Sequence, residues 1–194
     1  MNLTPEVLLS AARYTLQNPR AGARVILSLG LTTGQALLAL VLIAVISTLL
    51  TAASFLIAPL PPEAEVQMLF ANPLELAVMQ TVVLAFGAGM VHLVGRKFGG
   101  RGTLAGAVAL IAWIEFILSL MQLVQIVALF ILPPFAEVIG IMGLAVFLWL
   151  LTQFVTELHG FSSVWKVFGG ILATIFTLSF GVAILLVSLF GTGV

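Results

Sequence analysis

The chain has 194 residues, 62% hydrophobic and 7% charged, with a mean hydropathy of +1.28. Soluble domains carry about 25% charged residues, so this composition belongs to a membrane protein. Seven Lys and Arg balance seven acidic residues, all Glu, which leaves no basic surface for nucleic acid and no charge bias toward a generally acidic partner. The absence of cysteine excludes disulfides, thiolate metal sites and cysteine nucleophiles. The length and uniform composition predict one domain over residues 1–194, an all-α bundle crossing the membrane.

Residues 1–33 precede the first long apolar run. MNLTPEVLLSAARY has neither a basic region before an apolar stretch nor a cleavage site after one, so no cleavable leader is expected. TPEVLLSAARYTLQ predicts a short amphipathic helix, with Thr4 as N-cap, Pro5 in the first helical position and Glu6 beside the positive helix end. Leu8, Ala11, Ala12, Thr15 and Leu16 make its apolar face. Asn18-Pro19 starts a second helix on which Arg20 and Arg24 meet anionic headgroups while Val25, Ile26 and Leu29 enter the acyl boundary. Lying on the inner leaflet and packing against the end of the bundle are both compatible with this pattern.

A hydrocarbon layer of roughly 30 Å needs about 20 apolar residues per helix, because backbone polar groups cannot remain unpaired in lipid. Five runs qualify, near residues 34–58, 74–95, 104–131, 135–156 and 167–190. PLPPEAE and Asn72-Pro73 punctuate the first gap, RKFGGRG the second, Pro133-Pro134 the third and HGFSS the fourth. Arg13, Arg20 and Arg24 precede the first run, Arg96, Lys97 and Arg101 follow the second, and Lys166 follows the fourth. All seven basic residues therefore share one side, the predicted cytoplasmic side, where they contact lipid headgroups. Glu63, Glu65, Glu75 and Glu137 lie opposite. The N-terminus is expected in the cytoplasm and the C-terminus outside.

Helices in lipid associate through close packing at small residues. The second run offers Ala77, Thr81, Ala85 and Gly89 at four-residue spacing, and the fifth offers Gly169, Ala173, Thr177 and Gly181. Packing inside the bundle is the simpler expectation for both ridges, and joining two copies is the alternative.

Glu115 stands in the middle of the third run, with Ser119 and Gln122 on the same helical stripe. A charge at mid-bilayer costs roughly 2.5 to 3.5 kcal/mol, so the side chain is expected to face protein, where it is protonated or hydrogen-bonded. One reading is a proton-coupled or lipid-headgroup site formed with Gln80 and Gln153 of neighbouring spans. The favoured reading is a protonated glutamate that donates a hydrogen bond and so fixes helix register. Near the end of the fourth run, Glu157 and Lys166 are placed to pair across HGFSS, with Ser162 or Ser163 capping the fifth helix. His92, His159 and Glu157 match no metal-site spacing, and neither metal nor cofactor is expected. HExxH, GxSxG, phosphate-loop motifs and aspartate are all missing, so an enzyme is the least supported class. The glycine-rich RKFGGRG loop joins two spans and reads as a headgroup-contacting turn.

Five closely spaced spans, the opening LQNPRAGARVIL at 16–27 and the junction TELHGFSSVWKVFGG at 156–170 together resemble bacterial members of the Yip1 domain family. That resemblance implies an inner-membrane protein in which Pro19, Gly160 and Lys166 are structural markers. Eukaryotic members are adaptors in vesicle traffic that associate with Rab GTPases and carry a longer cytosolic N-terminal region. Nothing like that region stands in this sequence, so Rab binding is not carried over. The expected function is a non-enzymatic scaffold or adaptor that binds itself or other membrane proteins. The alternatives are lipid or small-solute handling around Glu115 and an accessory subunit of a larger inner-membrane complex.

Overall fold

The computed structural model describes residues 4–58 and 72–191, and every regular element among them is helical. Two short helices, α1 (Pro5–Gln17) and α2 (Pro19–Ser28), precede five long ones. These are α3 (Thr33–Ile57), α4 (Pro73–Lys97), α5 (Leu104–Ile131), α6 (Pro133–His159) and α7 (Val164–Phe190). All five are long and apolar enough to cross a membrane, and each coincides with one of the expected runs to within a few residues. Glu63 and Glu65, with the whole of PLPPEAE, lie outside the described residues.

Local chemistry sets the ends. Free amides at a helix start need partners where the backbone leaves lipid. The Thr4 hydroxyl accepts from the Val7 amide at 3.4 Å, with Pro5 at the first helical position as expected. At α3, Thr32 and Gln35 form a reciprocal capping box, each side chain accepting the other's backbone N–H, at 3.3 and 2.9 Å. The side chains of Asn72, Thr103 and Ser163 cap α4, α5 and α7 by accepting one backbone N–H each, from Leu74, Gly106 and Lys166. Gly160 ends α6 with φ of 70°, the left-handed conformation that lets the chain turn directly into α7.

α3, α5 and α6 are the most buried of the five long helices. The α3–α5 and α5–α6 pairs are the most extensively packed, and α5 carries the longest buried surface. Small side chains make this approach possible: Ala36 and Ala44 on α3, and Gly106, Ala107, Ala109 and Ala112 on α5, are all buried. On α4 the expected ridge serves only in part. Ala77 is buried, Thr81 and Ala85 are half-buried, and a side chain at Gly89 would meet open space. Ala88 and Gly95 are the other small residues of α4 that are buried.

α7 is peripheral. No residue of its most apolar 18-residue stretch is buried within the chain, against 33% in α3, and α6 is its principal neighbour. Gly169, Ala173 and Thr177 are exposed, Gly181 is half-exposed, and the two glycines have open space where a Cβ would stand. This ridge therefore does not bind α7 into the bundle, contrary to the simpler expectation.

α1 and α2 fold back on each other and dock on the bundle. A Cβ at Gly22 would collide with Thr15, which is how closely the two helices approach. α2 packs on α5 and α6, and the Trp113 indole of α5 donates to the Thr15 hydroxyl at 3.1 Å. Ala12 and Thr15 are buried, while Leu16 of the same expected face is exposed.

Candidate functional site

Glu115 lies at the meeting of α3, α4 and α5. The Gln80 amide of α4 donates one hydrogen to Glu115 Oε1 at 2.7 Å and the other to Ser47 Oγ at 3.0 Å. Its carbonyl accepts from the Thr48 hydroxyl at 3.0 Å. One side chain thus ties three helices together, with both donors and the acceptor engaged. Two turns along α5, Gln122 donates to the Thr51 hydroxyl at 2.9 Å, and Thr51 in turn donates to the Ser47 carbonyl at 3.0 Å. Interhelical hydrogen bonds of this kind average about 0.6 kcal/mol each in a membrane protein, so their larger effect is on register.

The expected members of this site separate in three ways. Glu115, Gln80 and Gln122 belong to the polar layer. Ser119 is buried, yet its hydroxyl donates to the Glu115 backbone carbonyl at 2.9 Å and not to the carboxyl group. Gln153 is half-buried on α6 and takes part in none of these bonds. Ser47, Thr48 and Thr51 are the partners that sequence reasoning missed; their signal was a polar cluster at i, i+1 and i+4 inside an apolar run.

A second polar centre joins the two loops rich in basic and glycine residues. The His159 ring, at the end of α6, is buried at 2% exposure and stacks on Phe161. Its Nδ1 accepts from the Gly102 amide at 3.2 Å, which leaves Nε2 to donate to the Val91 carbonyl at 3.1 Å. The Gly102 carbonyl faces His92 Nδ1 at 3.1 Å, and the Arg101 amide donates to the His159 carbonyl at 3.3 Å. Both histidines of the chain therefore hold one loop residue from opposite sides.

Glycine makes this slot. A Cβ at Gly95 or Gly100 would fall on the His159 ring, and one at Gly102 would lie 2.7 Å from Cε1. The RKFGGRG turn is built around a buried imidazole: that contact explains Gly100 and Gly102, while Gly99 takes a left-handed φ of 86° that favours glycine. The contact spans 57 positions in sequence, beyond any periodic signal.

Charge pairing differs from the expected pattern. Glu157 binds Arg24 of α2 at 3.1 Å and not Lys166. α2 crosses α6 and presents Arg24 to Glu157, while Gly160 turns the chain away before Lys166 on α7. The Arg24 side chain is 61% exposed, which limits the pair to about 1 kcal/mol or less. Arg13, Arg96, Lys97, Arg101 and Lys166 are exposed. Arg20 is half-buried, and its Nε and Nη2 atoms are buried without a hydrogen-bond partner. Among the described residues no group of three His, Cys, Asp or Glu side chains could hold a metal ion.

Five apolar spans packed through small residues and tied by an internal polar layer define an integral membrane protein of the helical, multi-span class. The family model of the Yip1 domain matches residues 13–186, and the chain belongs to that family. No curated protein and no solved structure matches it. The match takes in the α2 opening, the histidine slot and all five spans.

Proposed function

We propose that this protein is a non-enzymatic scaffold of the bacterial cytoplasmic membrane, which acts by holding a second copy of itself or another membrane protein against α7. The observation that carries the reading is the free surface of that helix. α7 spends almost none of its apolar length inside the chain and exposes Gly169, Ala173 and Thr177 along one side, the spacing at which helices approach closely in lipid. The basic residues Arg13, Arg20, Arg24, Arg96, Lys97, Arg101 and Lys166 favour a cytoplasmic N-terminus and an external C-terminus. An accessory subunit of a larger complex is the same reading with a different protein on α7.

A solute or proton site at Glu115 has less support. Its Oε1 already accepts from Gln80, and among the described residues no second acid or base joins the layer's hydrogen bonds. The layer reads as a register lock.

The chain has no cysteine, so Ala173→Cys places a single thiol on the exposed side of α7. In native membranes, mild oxidation or a short bifunctional reagent should join it to a second copy or to one defined protein. Leu42→Cys, on exposed α3 surface, should give no such product. Equal and diffuse crosslinking at both positions would overturn the proposal.

A further inference from the structure

Between α4 and α7 runs an open groove of about 630 Å3, floored by Leu151 of α6. On α4 it extends from Val83 to Phe98 and on α7 from Ser162 to Leu178. Fifteen helical steps of about 1.5 Å give a length of roughly 22 Å. That is close to the depth of one leaflet with its headgroup zone, half of roughly 40 to 45 Å. The groove begins at the end of the bundle that carries the basic residues and stops near the middle of the membrane.

Its polarity is one-sided. Ser162, Ser163 and Lys166 stand at the basic end. Deeper in, the lining is apolar or glycine except for Thr174, whose hydroxyl is already turned back onto the Gly170 carbonyl at 2.8 Å. Lys166 has no carboxylate partner among the described residues, since Glu157 is taken by Arg24. Arg96 is exposed on the last turn of α4 at the same end.

We propose that this groove holds one anionic phospholipid of the basic-end leaflet, with an acyl chain along Leu151 and the phosphate at the Lys166 ammonium and the Ser162 hydroxyl. Length and charge select this occupant. A transmembrane helix needs a seat across both leaflets, roughly 30 Å of hydrocarbon, and this seat covers one. An unpaired ammonium at headgroup depth complements a lipid phosphate and offers nothing to an apolar helix. Neither Gly169, Ala173, Thr177 nor Gly181 lines the groove, so the lipid site and the proposed protein contact occupy different sides of α7.

Native mass spectrometry on the purified protein, with phosphatidylglycerol or phosphatidylcholine added in equal amounts, tests the assignment. The wild type should retain a single phosphatidylglycerol in clear preference. Lys166→Gln should cut that occupancy about fivefold, the equivalent of roughly 1 kcal/mol for one basic group at the membrane surface. Lys166→Arg should keep it, and Arg13→Gln, on α1, should leave it unchanged. Gly170→Phe, where nothing stands within 4 Å of the position a Cβ would take, should fill the groove and abolish retention of either lipid. Equal retention of both lipids by wild type and Lys166→Gln would mean surface lipid only and would overturn the site. So would Ile171→Cys crosslinking to a protein, because the groove would then be the seat of a partner helix.

Discussion

At the scale of single residues, two side chains, one half-buried and one buried, explain most of the internal polarity. Gln80 satisfies Glu115, Ser47 and Thr48 together, and His159 fixes the loop between α4 and α5 through Gly102. The His159 slot makes a sharp prediction because three glycines leave the ring no room to move. Gly95→Ala should destabilise the protein by about 1 to 3 kcal/mol, the usual cost of forcing an extra carbon into a packed site. Gly89→Ala, on the same helix but with open space around it, should be neutral or slightly stabilising because alanine favours the helix. Thermal unfolding of the two variants in detergent measures the difference, and equal melting temperatures would remove the slot from the account. Of this scale the sequence displayed the acid and the glutamine but not their hydroxyl partners, nor the histidine. Ser47 and Thr48 look like ordinary polar interruptions of an apolar run, and a histidine near an interface carries no mark of burial. What distinguishes them is a neighbour on another helix, 33 residues away for Ser47 and Gln80 and 57 for Gly102 and His159.

At the scale of elements, hydropathy and punctuation located the five spans because lipid admits so few alternatives for an apolar segment. Thr4-Pro5 located α1 through a local N-cap, and Asn18-Pro19 located α2 through proline at its first position, with no cap bond from the Asn18 side chain. Pairing of elements was less legible. Small-residue spacing pointed to α4 and α7 as packing helices, whereas α3 and α5 form the centre, since alanine-rich faces of both are buried. The Glu157–Lys166 pairing failed for a related reason: nine positions of sequence proximity mattered less than α2 lying across α6. How firmly α1 is held is open to a direct check. Thr15→Val removes the acceptor of the Trp113 indole and leaves that N–H unpaired, at a cost of about 1 to 3 kcal/mol. Trypsin should then cut at Arg13 markedly faster than in the wild type, with cleavage at Arg101 unchanged. An unaltered cleavage rate would mean that α1 is held by α2 alone.

At the scale of the whole molecule, the bundle is complete on one side and unfinished on the other. α3 and α5 bury their small residues against each other, α6 packs on α5, and the polar layer closes around Glu115 within the same chain. α7 stands apart, with a leaflet-deep groove on its α4 side and a small-residue surface on another. A helix so little used internally contributes little to holding its own chain together, which is why both proposals place a partner molecule on it.

The measurement that bears most directly on the scaffold proposal is the mass of the protein extracted from native membranes in a lipid-retaining polymer, compared for wild type and Ala173→Trp. The wild type should emerge with a second copy or with one partner in fixed ratio. Ala173→Trp should emerge alone, because the indole blocks close approach along Gly169, Ala173 and Thr177. A wild-type protein that emerges as a single chain with lipid, or a tryptophan variant that keeps its partner, would contradict the scaffold reading and leave α7 as a lipid-facing span.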